Sequence, residues 1–108
     1  ARALALAWDT REGLSPRDRA HLVALAGPRY PEPSSDAEYI ASWERAALLA
    51  PDRAEVWQEL GERFLVQGAA LGVSDGAERA RQALRRAFGL DPTHEPTRRL
   101  LAILAARA

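Results

Sequence analysis

The side chains able to do chemistry are few, and their spacing keeps them apart. His21 and His94 are the only histidines. A zinc site needs clustered ligands, and neither H-x3-H nor H-E-x2-H spacing occurs. His94 falls at a helix start in Asp91-Pro92-Thr93-His94-Glu95, where a turn role is expected. His21 sits beside Arg17 and Asp18 in mid-helix, with the surface as its expected place. There is no Cys, which removes thiolate nucleophiles, thiolate metal sites and disulfides. Ser34, Ser35, Ser42 and Ser74 lack a G-x-S-x-G elbow and have no positional link to a His. The stretch from Gly68 to Gly76 is glycine-rich, but no Lys follows it, so a phosphate cradle has no motif to rest on. Arg79, Arg81, Arg85, Arg86, Arg98 and Arg99 could form a phosphate-binding face. Against this, Glu78 heads the run and its one nearby aromatic, Phe88, is expected to be buried. The plainer interpretation has Arg stems covering helical faces and pairing with acids. No catalysis, metal or cofactor is expected; the sequence does not read as an enzyme.

Composition describes the scaffold better than the chemistry. The chain has 108 residues, the length of one domain with a single core. Ala, Leu and Arg dominate and favour helix, while four Val, two Ile and three Thr would have to supply any sheet. The expected class is all-α. Lys, Asn and Met are absent along with Cys, as in a GC-rich bacterial genome, and the lack of Cys fits a reducing cytoplasm. The longest apolar run, Leu100 to Ala106, is far below the ~20 residues of a membrane span. No signal-peptide architecture is present, and the start at Ala-Arg reads as a soluble piece of a longer protein. Net charge is zero but uneven. Residues 31–62 carry eight acids against Arg45 and Arg53, a balance of −6. Residues 77–108 carry seven Arg against Glu78, Asp91 and Glu95, a balance of +4. Solvated helix faces explain this simply; an electrostatic preference for a partner is the other explanation.

Capping chemistry locates the elements. Ser15-Pro16 gives an N-cap and a first-turn proline. Ser35-x-x-Glu38, Asp52-x-x-Glu55 and Asp75-x-x-Glu78 are capping-box-like. Gly27-Pro28, Pro51, Gly68 to Gly76, and Gly89 with Asp91-Pro92 mark stops. Helices are therefore predicted near 2–11, 16–26, 36–50, 53–69, 76–89 and 94–107.

Within these helices Trp57, Leu60, Gly61 and Phe64 read W-x2-L-G-x2-F, and Ala80, Leu84, Ala87 and Pro92 read A-x3-L-x2-A-x4-P. Trp57, Leu60 and Phe64 share one helical stripe, which is expected to place Trp57 in the core. Gly61 allows close approach of a second helix, with Ala80 as the small residue opposite, and Pro92 stops that helix. Together these residues resemble one tetratricopeptide (TPR) repeat, a helix pair with bulky, small and turn residues at fixed offsets. The resemblance implies antiparallel helix pairs stacked as a short right-handed solenoid of about six helices. It makes residues 1–108 one domain: a degenerate repeat at 14–51, the best repeat at 54–92 with an insertion at 69–75, and a capping helix at 94–107. Trp43, Ala46 and Pro51 repeat the second-helix spacing, so their partner is the helix at 16–26, with Leu22, Leu25 and Ala26 as its buried stripe. After Pro92, Leu101 and Ala102 take the L-G positions.

Several departures carry structural expectations. Gly68 to Ala80 spans twelve residues where the family takes about five, which puts a loop or helix extension at 69–75 with Asp75 capping the next helix. Arg98 replaces the Trp of the last unit, and Pro96 sits in its first turn. Tyr39 stands where a small residue is expected and keeps the first pair apart. The Gly27–Pro33 loop, with three prolines, is expected to be a stiff extended connector.

TPR repeats build binding surfaces, and partners commonly lie along first-helix positions one turn apart. The resemblance places these at Glu55, Gln58, Glu62, Leu65 and Val66, which should be exposed beside the Trp57 stripe. Glu55 and Glu62 are opposite in sign to the family's carboxylate clamp, so a basic or amphipathic segment suits them better than an acidic tail. The expected function is a protein or peptide interaction module without a membrane role. The LSPRD segment (Leu14 to Asp18) and the long insertion also look like helical repeat regions of bacterial signalling proteins. The alternative is a nucleic-acid-binding repeat that uses the C-terminal arginines; self-association through an uncapped end is a third possibility.

Overall fold

Two helix starts form as the serines dictate. Ser15 accepts a hydrogen bond from the Asp18 amide at 3.2 Å, with Pro16 in the first turn. Ser35 and Glu38 close a full capping box, each side chain accepting from the other's backbone amide. The computed structural model describes residues 2–68, 72 and 75–107. These form α1 (Arg2–Asp9), a 3-10 turn (Arg11–Gly13), α2 (Pro16–Ala26), α3 (Asp36–Leu49), α4 (Ala54–Gln67), α5 (Gly76–Leu90) and α6 (Glu95–Arg107). The protein is all-helical, and no strand occurs among the described residues.

The two Asp caps do not form. Arg53 occupies the N-cap of α4 because Asp52 is drawn into an ion pair with Arg17. Asp75 precedes α5 without a side-chain cap, its carboxylate accepting from Arg79 Nε at 3.2 Å instead. The expected loop at 69–75, including Leu71 and Val73, falls mostly outside the described residues. Gly72 lies at φ +72°, in the left-handed region that favours glycine.

Each helix packs chiefly on its neighbours in sequence, with a smaller contact from α4 to α6. The tightest approach joins α4 and α5. A Cβ added at Gly61 would lie 2.7 Å from Leu84 Cγ and 3.2 Å from the Ala80 carbonyl oxygen. Ala80, Leu84 and Ala87 are fully buried against this contact. Around it the core collects Ile40, Trp43, Val56, Leu60, Phe64, Leu100 and Leu104, and alanines supply most of its remaining positions.

Several expected burials shift by one residue or one stripe. On α2, Ala20 and Ala24 face the core beside Ala26, Leu22 is only partly covered and Leu25 is exposed. A helix that approaches through alanines turns its leucines to the flanks. On α6, Leu100, Leu104 and Thr97 are buried, whereas Leu101 is partly covered and Ala102 exposed. Phe88 is also exposed, because the buried arc of α5 centres on Ala80, Ala83, Leu84 and Ala87 and leaves residue 88 at its edge.

The Gly27–Pro33 segment turns rather than extends. Tyr30 N donates to the Gly27 carbonyl at 3.1 Å and Glu32 N to the Arg29 carbonyl at 2.8 Å. Gly27, at φ +94°, leaves room for the Tyr39 hydroxyl, which a Cβ would meet at 2.9 Å. The α1 helix buries no residue and meets the turn through Trp8, whose ring lies 5.4 Å from that of Tyr30.

Candidate partner-binding surfaces

The positions carried onto α4 divide between two stripes. Ala54, Gln58, Gly61 and Leu65 form one, and it turns inward: Ala54, Gln58 and Gly61 are buried and Leu65 is partly covered. Gln58 is therefore not available to a partner, because it shares the face on which Gly61 admits α5. The next stripe holds Glu55, Glu59, Glu62 and Val66. Glu55 and Val66 are exposed, and Glu59 and Glu62 are half-buried. Glu59 was legible from this i, i+4, i+7 spacing as a member of the acidic face, but it is absent from the family-derived positions.

This face is less negative than its carboxylates suggest. Arg63 Nη2 donates to Glu62 at 3.0 Å, and Arg63 Nε lies 4.0 Å from Glu59. Burial pushes the Glu59 carboxyl above its ordinary range; the Glu62 charge adds to this and Arg63 opposes it.

Trp57 is only half-buried, contrary to its expected place in the core: it packs against the core from its edge. Its Nε1 donates to the Pro51 carbonyl at 2.9 Å. With Leu60 and Phe64 it floors a cavity of about 400 Å³, rimmed by Glu44, Arg79 and Arg86.

The arginine run is partly engaged within the fold. Arg81 donates to Glu78 at 2.6 Å, Arg79 pairs with Asp75, and Arg79 and Arg86 lie over the rings of Phe64 and Trp57. Arg85, Arg98 and Arg99 are exposed. Among the described residues no three of His, Cys, Asp and Glu come together as a metal cage.

The histidines have structural surroundings. His94 Nδ1 lies 2.8 Å from the Oγ1 of Thr97, a fully buried hydroxyl that the sequence pattern did not single out. His21 is half-buried rather than at the surface. It meets Trp43 edge-on at 5.7 Å, and its Nδ1 lies 3.2 Å from Arg53 Nη1. Arg53 also pairs with Asp18, and Arg17 with Asp52, so two ion pairs tie the start of α2 to the α3–α4 turn.

These surroundings set an acid sensitivity. Burial lowers the His21 pKa below its ordinary 6.5, and the Arg53 charge acts in the same direction. As pH falls through 6.5, the unfolded chain gains a proton that folded His21 refuses, and stability declines. Asp18 is held below its ordinary 3.8 by Arg53 and Ser15, and Asp52 by Arg17. Their contribution is present above the unfolded value and is lost as pH falls through the folded ones. Thermal melts across this range should show two declining limbs. His21→Gln should remove the upper one, and Asp18→Asn with Asp52→Asn should flatten the lower. An upper limb that survives His21→Gln would assign it to another group.

Comparison with protein-family models, characterised proteins and solved structures finds no match to the chain. Among the described residues, no helix is long and apolar enough to cross a membrane.

Proposed function

We propose that the chain is a TPR-like helical module that binds a protein or peptide segment and performs no chemistry itself, within a larger bacterial regulatory protein of the cytoplasm. The observation that carries this is the α4–α5 contact. Gly61 meets Leu84 and the Ala80 carbonyl where the W-x2-L-G-x2-F and A-x3-L signatures require the helices to meet. The dimensions support a stack over a sphere: the extents are 43 × 30 × 23 Å, and the radius of gyration is 14.1 Å, against about 13 Å for a compact domain of this length. In this proposal α2–α3 and α4–α5 are antiparallel pairs of a short right-handed solenoid, and α6 caps it.

The partner segment lies along Glu55, Glu59, Glu62 and Val66, with Leu65 at its edge, and is basic or amphipathic. Glu55→Arg with Glu62→Arg should weaken a basic amphipathic peptide by roughly tenfold. The exposed Glu55 change should leave the melting temperature nearly unchanged, while the Glu62 change, which removes the Arg63 hydrogen bond, should lower it modestly. Wild-type affinity should fall with added salt, since exposed charges are screened over about 8 Å. Unchanged peptide affinity in the reversal, measured by calorimetric titration, would remove this face from the proposal.

A further inference from the structure

On the side of α4 away from the acidic stripe, α3 and α5 leave a groove open. Trp57, Leu60 and Phe64 form its floor within the cavity of about 400 Å³. Toward α3 it continues as a hollow of about 250 Å³ beside Leu48, a residue 81% exposed. Because the Trp57 Nε1 is already satisfied by the Pro51 carbonyl, the indole offers the groove an apolar face.

The charges at the rim are ordered. Arg79 and Arg86 stand seven residues apart on α5, about 10 Å along its axis. Their guanidinium carbons lie 5.6 Å from the Phe64 ring centroid and 5.5 Å from that of Trp57. Arg79 is shared with Asp75 at 3.2 Å, while among the described residues no carboxylate pairs with Arg86. Glu44 lines the same cavity from α3.

We propose that this groove seats an amphipathic helix of a partner protein, apolar on one face and carrying two acids two turns apart. The arginine spacing selects a helix over an extended strand. In a helix, residues seven apart share a face, so both acids reach α5 while the apolar stripe stays on Trp57 and Leu48. A strand covers the same distance in about three residues, and an odd step turns the second acid to the opposite face. The apolar floor and Glu44 argue against a phosphate backbone. The site takes the opposite charge to the Glu55–Val66 stripe and stands independently of it.

The test uses the whole chain and a dye-labelled peptide of about sixteen residues. It carries leucines at helical spacing and glutamates at i and i+7, and is compared with a Glu→Lys version and a scrambled version of the same composition. Fluorescence anisotropy should show the Glu peptide binding about tenfold tighter than either comparator, with the advantage shrinking as salt is added. Arg79→Glu with Arg86→Glu should reverse the Glu/Lys order; Arg79→Gln with Arg86→Gln should abolish the preference if the reversal does not fold. Leu48→Ser should weaken binding several-fold at unchanged melting temperature. Glu55→Arg with Glu62→Arg should leave it intact, which separates this groove from the acidic face. Equal binding of the scrambled peptide, no saturation by about 1 mM, or indifference to both arginine pairs would overturn the proposal. A dimer in sedimentation that Leu48→Ser dissociates would overturn it in favour of a second copy of the chain.

Discussion

Trp43→Ala should lower the unfolding free energy by about 3–5 kcal/mol, the range for removing a large buried aromatic. Only 3% of Trp43 is exposed, and His21 closes its edge at 5.7 Å. The motif alone would assign the larger loss to Trp57, but that ring is half-solvated in its groove and should cost about half as much to truncate. Urea unfolding of the two variants, analysed at constant slope, ranks them. If Trp57→Ala proved the more damaging, the groove over Trp57 would have to be closed in solution.

Gly61→Ala and Leu84→Ala should each destabilise, and the pair together should cost less than the sum. The methyl group at 61 would collide with Leu84 and press on the Ala80 carbonyl, an overpacking cost of about 1–3 kcal/mol that outweighs the gain in helix propensity. Leu84 is fully buried, and truncating it should cost about 2–5 kcal/mol. In the double variant the new methyl enters the space that Leu84 vacates, so a coupling of at least about 0.5 kcal/mol is expected from the cycle. Gly89→Ala is the control. A Cβ there meets nothing within 4 Å, so the same exchange should stabilise by up to ~1 kcal/mol. Additive costs at 61 and 84 would mean that the two helices do not meet at these residues.

What the sequence disclosed depended on how local the physics was. Ser15, Ser35 and Glu38 act within one helical turn, and their caps formed as read. Gly61 opposite Ala80 and Leu84 was readable because a residue without a side chain has one strong use inside an apolar stripe. Asp52 and Asp75 were misread as caps because arginines, one of them thirty-five residues away in sequence, compete for their carboxylates. The acidic face was located on the correct helix but smeared over two stripes. Periodicity gives the angle between Gln58 and Glu55, yet the direction from which α5 arrives decides which of them is covered. The same limit applies to Phe88 and His21: the helix fixes the angle of each, and the packing of its neighbours decides how far it is covered. The groove over Trp57 is lined by residues of α3, α4 and α5 together, and no single segment encodes it.

The alanine-built core has a further consequence, for how this chain can change over generations. An alanine has no rotamers to freeze, so burying Ala24, Ala46, Ala80 and Ala87 within their helices adds no side-chain entropy cost to that of the backbone. It also has almost nothing left to remove. Replacement by glycine surrenders about 1 kcal/mol of helix propensity, and every other apolar replacement adds volume between helices already in contact. Drift at these sites is therefore one-sided: the interior can hardly shrink, it can grow only where a facing side chain shrinks with it, and divergence is channelled to the rims, where the charges stand.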